Sequence, residues 1–291
     1  MPESNETKPA QTLHPEDRHA IVRQVIQNLV IGSPLVFAKR LADPAAIAAV
    51  LLAFLMVTWL SILIVLSSSF IRQRFAGRPH GLDRLARRPA ALLVAAMVAS
   101  LATAAFWNGP FGLLCLLYVL LGMLHDLVLV RLVLLDVIFL AVEFTLRAVL
   151  GAAIIQVHIS PWLMLCTFMA ALIVSLGKRR NEITTADGDF PREVLEEYSP
   201  KLIDQMLAVV TSSAYIGYAL YTISEHAVKD FGTTYLIFTQ PMVLYGILRY
   251  LYLTHQGNLK RGSEVTILSD PPMVLNLVLW LLTVITVIYI L

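Results

Sequence analysis

Three polar residues at the end of a long apolar run have the spacing of a binding site. Lys178, Asn181 and Glu182 stand at positions i, i+3 and i+4, so on a continuous helix they share one face. Lys178 begins a basic run with Arg179 and Arg180, and these cationic groups suit phosphate oxygens. Glu182 has the carboxylate needed to orient a base or to help hold a divalent cation. The pattern is therefore compatible with a phosphate-binding site.

The same basic run has a second interpretation. Lysine and arginine commonly end membrane helices at the cytoplasmic surface, where they act only as anchors. Spacing alone leaves the anchor and the phosphate contact both open.

A second ionisable group lies within an apolar segment. Asp136, Glu143 and Arg147 are separated by seven and four residues, which on a helix places them within a stripe of about 40°. Charges inside a membrane helix face the bundle interior and mark a substrate path or an internal ion pair. We expect Asp136 and Arg147 to face a shared internal cavity. An i,i+4 pair between Glu143 and Arg147 that only fixes helix packing is the alternative.

The composition identifies the elements that must position these residues. The chain has 291 residues, 58% of them hydrophobic and 14% charged, with a mean hydropathy of +0.74. A soluble domain would not carry that balance, so we predict an integral membrane protein. A net charge of +2 without a basic soluble face argues against nucleic-acid binding. Cys115 and Cys166 lie in apolar runs and lack metal-ligand spacing.

Nine apolar runs are long enough to cross about 30 Å of hydrocarbon. They are residues 21–38, 47–70, 89–106, 111–129, 133–156, 161–177, 202–223, 233–253 and 273–291. Gly32 and Pro34 interrupt the first run. We predict an all-α bundle of nine transmembrane helices that forms one domain over residues 20–291, after a disordered cytoplasmic tail over residues 1–19.

Alternate loops differ in basic charge, which predicts the orientation. Loops on the first side carry Arg72, Arg74, Arg78, Arg84, Arg87, Arg88, Arg131, Lys178, Arg179, Arg180, Arg192, Lys201, Lys260 and Arg261. The other side has only Lys39, Arg40 and Lys229. Because basic loops stay in the cytoplasm, we expect a cytoplasmic N-terminus in the inner (plasma) membrane.

Several segments carry a family resemblance. They are LGKRRNEI at 176–183, EEYSPKLIDQML at 196–207, YGILRYLYL at 245–253, NLVIGSPLVFAKRL at 28–41, LLDVIFLAVEFTLRAVLGA at 134–152 and SDPPMVLNLVLW at 269–280. The chain resembles the UbiA-type intramembrane prenyltransferase superfamily, and within it the decaprenyl-phosphate phosphoribosyltransferase branch.

This resemblance implies a nine-helix bundle whose central cavity opens to the cytoplasm and to the bilayer. It also implies a diphosphate donor such as phosphoribosyl diphosphate, Mg²⁺, and a polyprenyl phosphate or other membrane lipid as acceptor. The catalytic residues carried over by the resemblance are Lys178, Glu182 and Asp136. The substrate-binding residues that it supports are Asn28, Arg147, Arg179 and Tyr198. Arg72 and Arg74 join them as cations suited to neutralise a diphosphate in place of a metal.

One family motif is missing. The family carries an N-D-x-x-D-x-x-x-D motif after its second helix because Mg²⁺ on a diphosphate needs several carboxylate oxygens. Here residues 67–89 offer one carboxylate, Asp83, against six arginines. The family's Tyr-Ser before the fifth helix is His125-Asp126 in this chain. We therefore predict no metal ligands in the first loop, and expect Arg72, Arg74 and Lys178 to hold any diphosphate.

Three functions remain open from the sequence. The chain is a transferase that moves a phosphoribosyl or prenyl group, or a catalytically degenerate member that binds lipid or pigment as a subunit of a membrane complex. A transporter would require paired broken helices at the membrane midplane. The sequence has one such break, at residues 32–34, which favours the first two functions.

Overall fold

A computed structural model describes residues 15–75, 83–185, 197–256 and 267–290, and the regular structure in these ranges is helical. The α-helices are α1 Pro15–Asn28, α2 Ser33–Phe37, α3 Pro44–Phe75, α4 Asp83–Trp107, α5 Gly109–Leu127, α6 Leu135–Ile154, α7 Pro161–Thr185, α8 Pro200–Thr222, α9 Glu225–Phe231, α10 Gln240–His255 and α11 Pro271–Tyr289. Short 3-10 helices cover Leu29–Gly32, Leu129–Arg131 and Tyr235–Thr239. The all-α prediction is confirmed.

The helices have the length and composition of membrane spans. In the described part of the chain, 8 helices are long and apolar enough to cross a membrane, or 9 if α8 and α9 are one span bent by 53°. The bend falls where Ser224 caps α9 by accepting a hydrogen bond from the backbone N–H of Ala227 at 3.2 Å. The protein is a multi-pass integral membrane protein.

The first span is broken where the sequence predicts an interruption. α1 ends at Asn28, a 3-10 turn follows to Gly32, and Pro34 lies in the first turn of α2. Proline is tolerated there because the first helical N–H groups have no acceptor within the helix. α1 itself begins at Pro15, inside the stretch predicted as a disordered tail, of which residues 1–14 lie outside the described residues.

α6 lies at the centre of the bundle. Buried residues make up 61% of this span, the largest share among the candidate spans. It packs against α3, α5, α7 and the broken first span. Gly151 allows the closest approach, since a Cβ there would lie 2.1 Å from the carbonyl oxygen of Ile31. The ionisable face of α6 is therefore enclosed by other helices.

The last helix returns to the first span. The hydroxyl of Tyr289 in α11 donates to the carbonyl of Leu35 at 3.2 Å and accepts from the backbone N–H of Leu41 at 3.1 Å. An apolar cluster that includes Phe231, Leu236 and Val284 packs beside this contact. These contacts join the last span to the first span, at the end of the helices opposite the basic loops.

Candidate functional site

α7 continues through the basic run, so the predicted shared face exists. The helix extends from Pro161 to Thr185 without a break. Lys178 Nζ lies 3.8 Å from Glu182 Oε1, an i,i+4 pair. The sequence spacing is sufficient to predict this contact because it depends on one helix alone.

The adjacent arginine faces the bundle interior. Arg179 Nε donates to Asp136 Oδ2 at 2.6 Å, and its Nη1 pairs with Glu182. Asp136 is 0% exposed and Arg179 is 1% exposed. The hydroxyl of Tyr198 donates to Asp136 Oδ1 at 3.0 Å. Residues carried over by resemblance from three segments thus meet in one buried network.

Tyr198 also fixes the start of α6. Its hydroxyl accepts from the backbone N–H of Leu134 at 2.6 Å. Leu134 has φ of 66° and ψ of −41°, and the N–H of Leu135 reaches the carbonyl of Val133 at 2.8 Å. This is a strained γ-turn, which persists only where the surroundings hold it. Burial raises the pKa of Tyr198 to about 12, so the hydroxyl stays protonated and can donate to Asp136.

Arg180 pairs with different helices. Its Nε donates to Asp204 Oδ1 on α8 at 2.5 Å, and its Nη1 donates to the carbonyl of Thr254 on α10 at 2.9 Å. A solvent-facing anchor would leave such arginines at the surface, whereas both Arg179 and Arg180 cross-link α7 to its neighbours. The anchor interpretation therefore does not account for these two residues.

A second buried arginine holds the other end of α6. Arg147 Nε donates to Asn28 Oδ1 at 2.8 Å, and Nη2 donates to the hydroxyl of Tyr118 at 3.0 Å and to Gln24. Asn28 in turn donates to Thr58 Oγ1 at 3.1 Å. Each of these partners is neutral. Arg147 thus links α6 to α1 and α5, and Asn28 extends the network to α3.

The alternative proposed for α6, an ion pair between Glu143 and Arg147, is not found among the described residues. The side chains of Glu143 and Arg147 are described, and no ion pair joins them; Glu143 Oε1 instead lies 4.0 Å from His125 Nδ1. Asp136 and Arg147 are both buried but belong to separate hydrogen-bond networks, and the cavity that they are predicted to share stays a prediction. The networks are separate because eleven residues of helix separate the two by roughly 16 Å, although they lie on one stripe.

A small polar cavity of about 20 Å³ lies between α1, α3, α5 and α6. Its polar lining comes from Arg23, Gln24, Ser61, Tyr118, His125, Asp126 and Glu143. The open central cavity implied by the resemblance stays a prediction, because residues 76–82 and 186–196 of its capping loops lie outside the described residues.

The first loop is described only at its edge. Arg72 is exposed near the end of α3. One turn earlier, Ser68 Oγ donates to Asp126 Oδ2 at 2.8 Å. The side chains of Arg74 and of Asp83 lie outside the described residues, as do residues 76–82, so the predicted contacts of this loop with a diphosphate stay predictions.

The described acids do not fit a Mg²⁺ site. Mg²⁺ requires several oxygen ligands in octahedral geometry. No three or more His, Cys, Asp or Glu side chains within the described ranges are placed to hold a metal ion. Asp136 and Glu182, the acids nearest the basic run, both pair with Arg179. No step that requires a metal is therefore assigned to these residues.

The sequence has a recognisable relative. No protein-family model matches the chain. A decaprenyl-phosphate phosphoribosyltransferase from Corynebacterium glutamicum is 28% identical over 159 residues, which cover 53% of this chain and 47% of that enzyme. The chain thus matches about half the length of this curated relative.

The whole fold has solved counterparts. A UbiA homologue from Archaeoglobus fulgidus bound to GPP and Mg²⁺ superposes with a TM-score of 0.60 at 17% identity, covering 94% of this chain and 100% of that one. Its complex with DMAPP and Mg²⁺ gives a TM-score of 0.59 at 17% identity, covering 94% and 99%. The protein is thus a polytopic membrane protein with the UbiA fold. The predicted resemblance to the UbiA superfamily is confirmed.

Proposed function

We propose that this protein is a UbiA-type membrane transferase that moves a phosphoribosyl or prenyl group from a diphosphate donor to a lipid-side acceptor. The observation that carries the proposal is the pair of buried arginines, Arg147 and Arg179, each 1% exposed inside a membrane bundle. Burying a guanidinium is costly, and charges at such depth mark functional positions. The fold and the sequence relative point to the same class.

The donor is assigned to the end of α7. Lys178 lies beside Glu182 at the same end of the bundle as Arg179. An incoming diphosphate competes with the Glu182 carboxylate for these cations, since charge-assisted contacts to phosphate are strong. Asp136 is a positioning residue, because it contacts the donor only through Arg179 in this arrangement.

The acceptor is assigned to the Arg147 end of α6. Arg147 donates to Asn28, which the resemblance places near the phosphate, while Arg147 itself is carried over as a cavity-facing residue. The neutral partners of Arg147 leave its positive charge available to a lipid phosphate without breaking an ion pair. A polyprenyl phosphate is the acceptor class that this arrangement supports best.

In this proposal, cationic side chains such as Lys178 neutralise the negative charge of the donor diphosphate. The described acids form no Mg²⁺ site, although the Archaeoglobus homologue is bound to Mg²⁺. We expect Lys178→Ala to weaken donor binding by at least about tenfold, as for the loss of one charge-assisted contact. Removal of Mg²⁺ is expected to have a smaller effect.

Calorimetry and turnover test this assignment. Purified protein in lipid nanodiscs is titrated with phosphoribosyl diphosphate, with and without a chelator, and is assayed with polyprenyl phosphate. The matched control is Lys201→Ala. Lys201 is an exposed lysine at the start of α8, in the set of basic loops that also contains Lys178. Loss of binding on chelation with Lys178→Ala unaffected contradicts the cation assignment.

A degenerate lipid- or pigment-binding subunit is the second candidate. It is favoured by residues 67–89, where one carboxylate replaces the acid-rich motif of the family. This candidate predicts that lipid or pigment co-purifies with the protein, while neither phosphoribosyl diphosphate nor a prenyl diphosphate binds under any metal condition. Turnover of either donor excludes it.

A further inference from the structure

One cluster of titratable residues has no part in the proposed transfer. His125 and Asp126 lie at the end of α5, and Glu143 lies opposite on α6. His125 is 6% exposed and Glu143 is 4% exposed. All three line the polar cavity of about 20 Å³. The cluster therefore encloses a space whose walls can bind and release protons.

Two atoms of the cluster lack a protein partner. His125 Nε2 and Glu143 Oε1 are buried and have no hydrogen-bond partner among the described residues. The separation of 4.0 Å between His125 Nδ1 and Glu143 Oε1 is too long for a direct hydrogen bond. Buried polar atoms of native proteins are nearly always satisfied by protein or by ordered water. A cavity of roughly 10–15 Å³ already holds one water molecule, so this one has room for a bridging water.

Asp126 orients the histidine. Its Oδ1 lies 3.4 Å from His125 Nδ1, while its Oδ2 accepts from Ser68 at 2.8 Å. A carboxylate beside Nδ1 favours the tautomer that carries its proton there, which leaves Nε2 with a lone pair that can accept a proton. The Asp126 side chain is 28% exposed. The cluster thus connects the partly exposed carboxylate of Asp126, through His125, to the buried carboxylate of Glu143.

We propose that Asp126, His125 and Glu143, with one bound water, form a proton relay between the aqueous end of α5 and the interior of the bundle. A proton from bulk water binds at His125 Nε2 or Glu143 Oε1 and returns by the same route. Only N–H and O–H bonds form and break, and no electrons are transferred. The relay does not depend on the proposed transferase activity.

The surrounding charges are mixed. The charged or titratable groups nearest the relay on the packed helices are Arg23 on α1, Arg72 on α3, Tyr118 on α5 and Arg147 on α6. The three arginines are positive, whereas Asp126 is a negative charge beside the two buried groups. Within the proposed relay, a proton is therefore carried by more than one side chain.

Infrared difference spectroscopy tests the relay directly. Wild-type protein in nanodiscs is brought through a pH series, and the carbonyl band of a buried protonated carboxylic acid is followed in water and in heavy water. We expect one such band, absent in Glu143→Gln and unchanged in Glu225→Gln, an exposed glutamate at the start of α9. A band that survives in Glu143→Gln overturns the assignment.

The variant Asp126→Asn tests the relay while both buried side chains, His125 and Glu143, are kept. The amide removes the negative charge that favours proton binding, so the midpoint of the Glu143 band moves to lower pH by about one unit. His125→Gln also moves the midpoint, because it removes the second proton acceptor. If Glu143→Gln does not fold, these two variants decide: an unchanged midpoint in both overturns the relay.

Discussion

At the scale of single residues, three consecutive basic side chains have three different environments. Lys178 lies beside Glu182 on its own helix, Arg179 is buried against Asp136 on α6, and Arg180 pairs with Asp204 on α8. Successive helical positions point about 100° apart, so Arg179 and Arg180 reach different helices, although Lys178 and Arg179 both contact Glu182. The basic run at the end of α7 therefore does not form one continuous positive patch, because its side chains are engaged in separate ion pairs.

Asp136→Asn tests the buried pair. The change removes one of the two carboxylates that neutralise Arg179, and it replaces one of the oxygens that accept from Arg179 and Tyr198 with an NH2 donor. Breaking a buried ion pair on one side costs about 3–5 kcal/mol, and the remaining Glu182 contact places the loss toward the lower end. The free energy of unfolding, measured by denaturant titration in detergent micelles, gives the value.

Asp43→Asn is the matched control for this prediction. Asp43 forms an exposed pair with Arg40, and its carboxylate also accepts from the backbone N–H of Ala45 and of Ala46. Asparagine caps a helix as well as aspartate does, so little stability is lost. Equal losses in the two variants would show that the buried pair contributes no more than a surface pair.

At the scale of elements, one side chain joins α10 to the start of α11. Asp270 accepts from Arg249 Nε at 3.0 Å and Nη2 at 2.8 Å, and its Oδ2 also accepts from the backbone N–H of Met273 at 3.0 Å. Asp270 is therefore both an ion-pair partner and the N-cap of α11. Arg249, followed by the Met273 N–H, holds the pKa of this carboxyl below its usual value.

The contacts of Asp270 with Arg249 predict that the thermal stability of the protein depends on pH. A carboxyl with a lowered pKa in the folded state stabilises the protein above its ordinary pKa of about 3.9, and that contribution is lost as pH falls through the lowered value. Asp270→Asn keeps the cap but loses the ion pair. We expect the variant to unfold at a lower temperature than wild type at pH 7, with the gap closing below about pH 4.

Thermal unfolding at pH 7 and at lower pH measures the effect. Arg249→Gln removes the same ion pair from the other side, so it should show the same closing gap. A gap that stays constant with pH would attribute the effect to packing rather than to the charge of Asp270.

At the scale of the whole molecule, the basic loops predict one orientation. We expect residues 72–88 and 178–201 to lie together on the cytoplasmic side, because basic loops resist translocation. In a background with Cys115 and Cys166 replaced by alanine, Arg72→Cys and Lys201→Cys should react with an impermeant maleimide only from the cytoplasmic side. Lys229→Cys should react only from the other side. Labelling of residues 72 and 201 from opposite sides would contradict the topology.

The sequence by itself determined the all-α class, the membrane location and most span positions. Apolar runs of sufficient length must become helices in lipid, because their backbone groups have no other hydrogen-bond partners there. It also determined the Lys178–Glu182 contact and the break near Gly32, which depend on local spacing and on proline. Segment resemblance indicated the fold, which the Archaeoglobus homologue supports.

Only the tertiary structure decided which charges meet. The helical stripe placed Asp136 and Arg147 on one face, but helix rise puts them at different depths, where different neighbouring helices supply their partners. Arg179 reaches Asp136, and His125 faces Glu143, through the rotation and axial level of separate helices. Periodicity within one helix carries no information about either quantity. The two buried networks and the cavity between α1, α3, α5 and α6 therefore follow from packing alone.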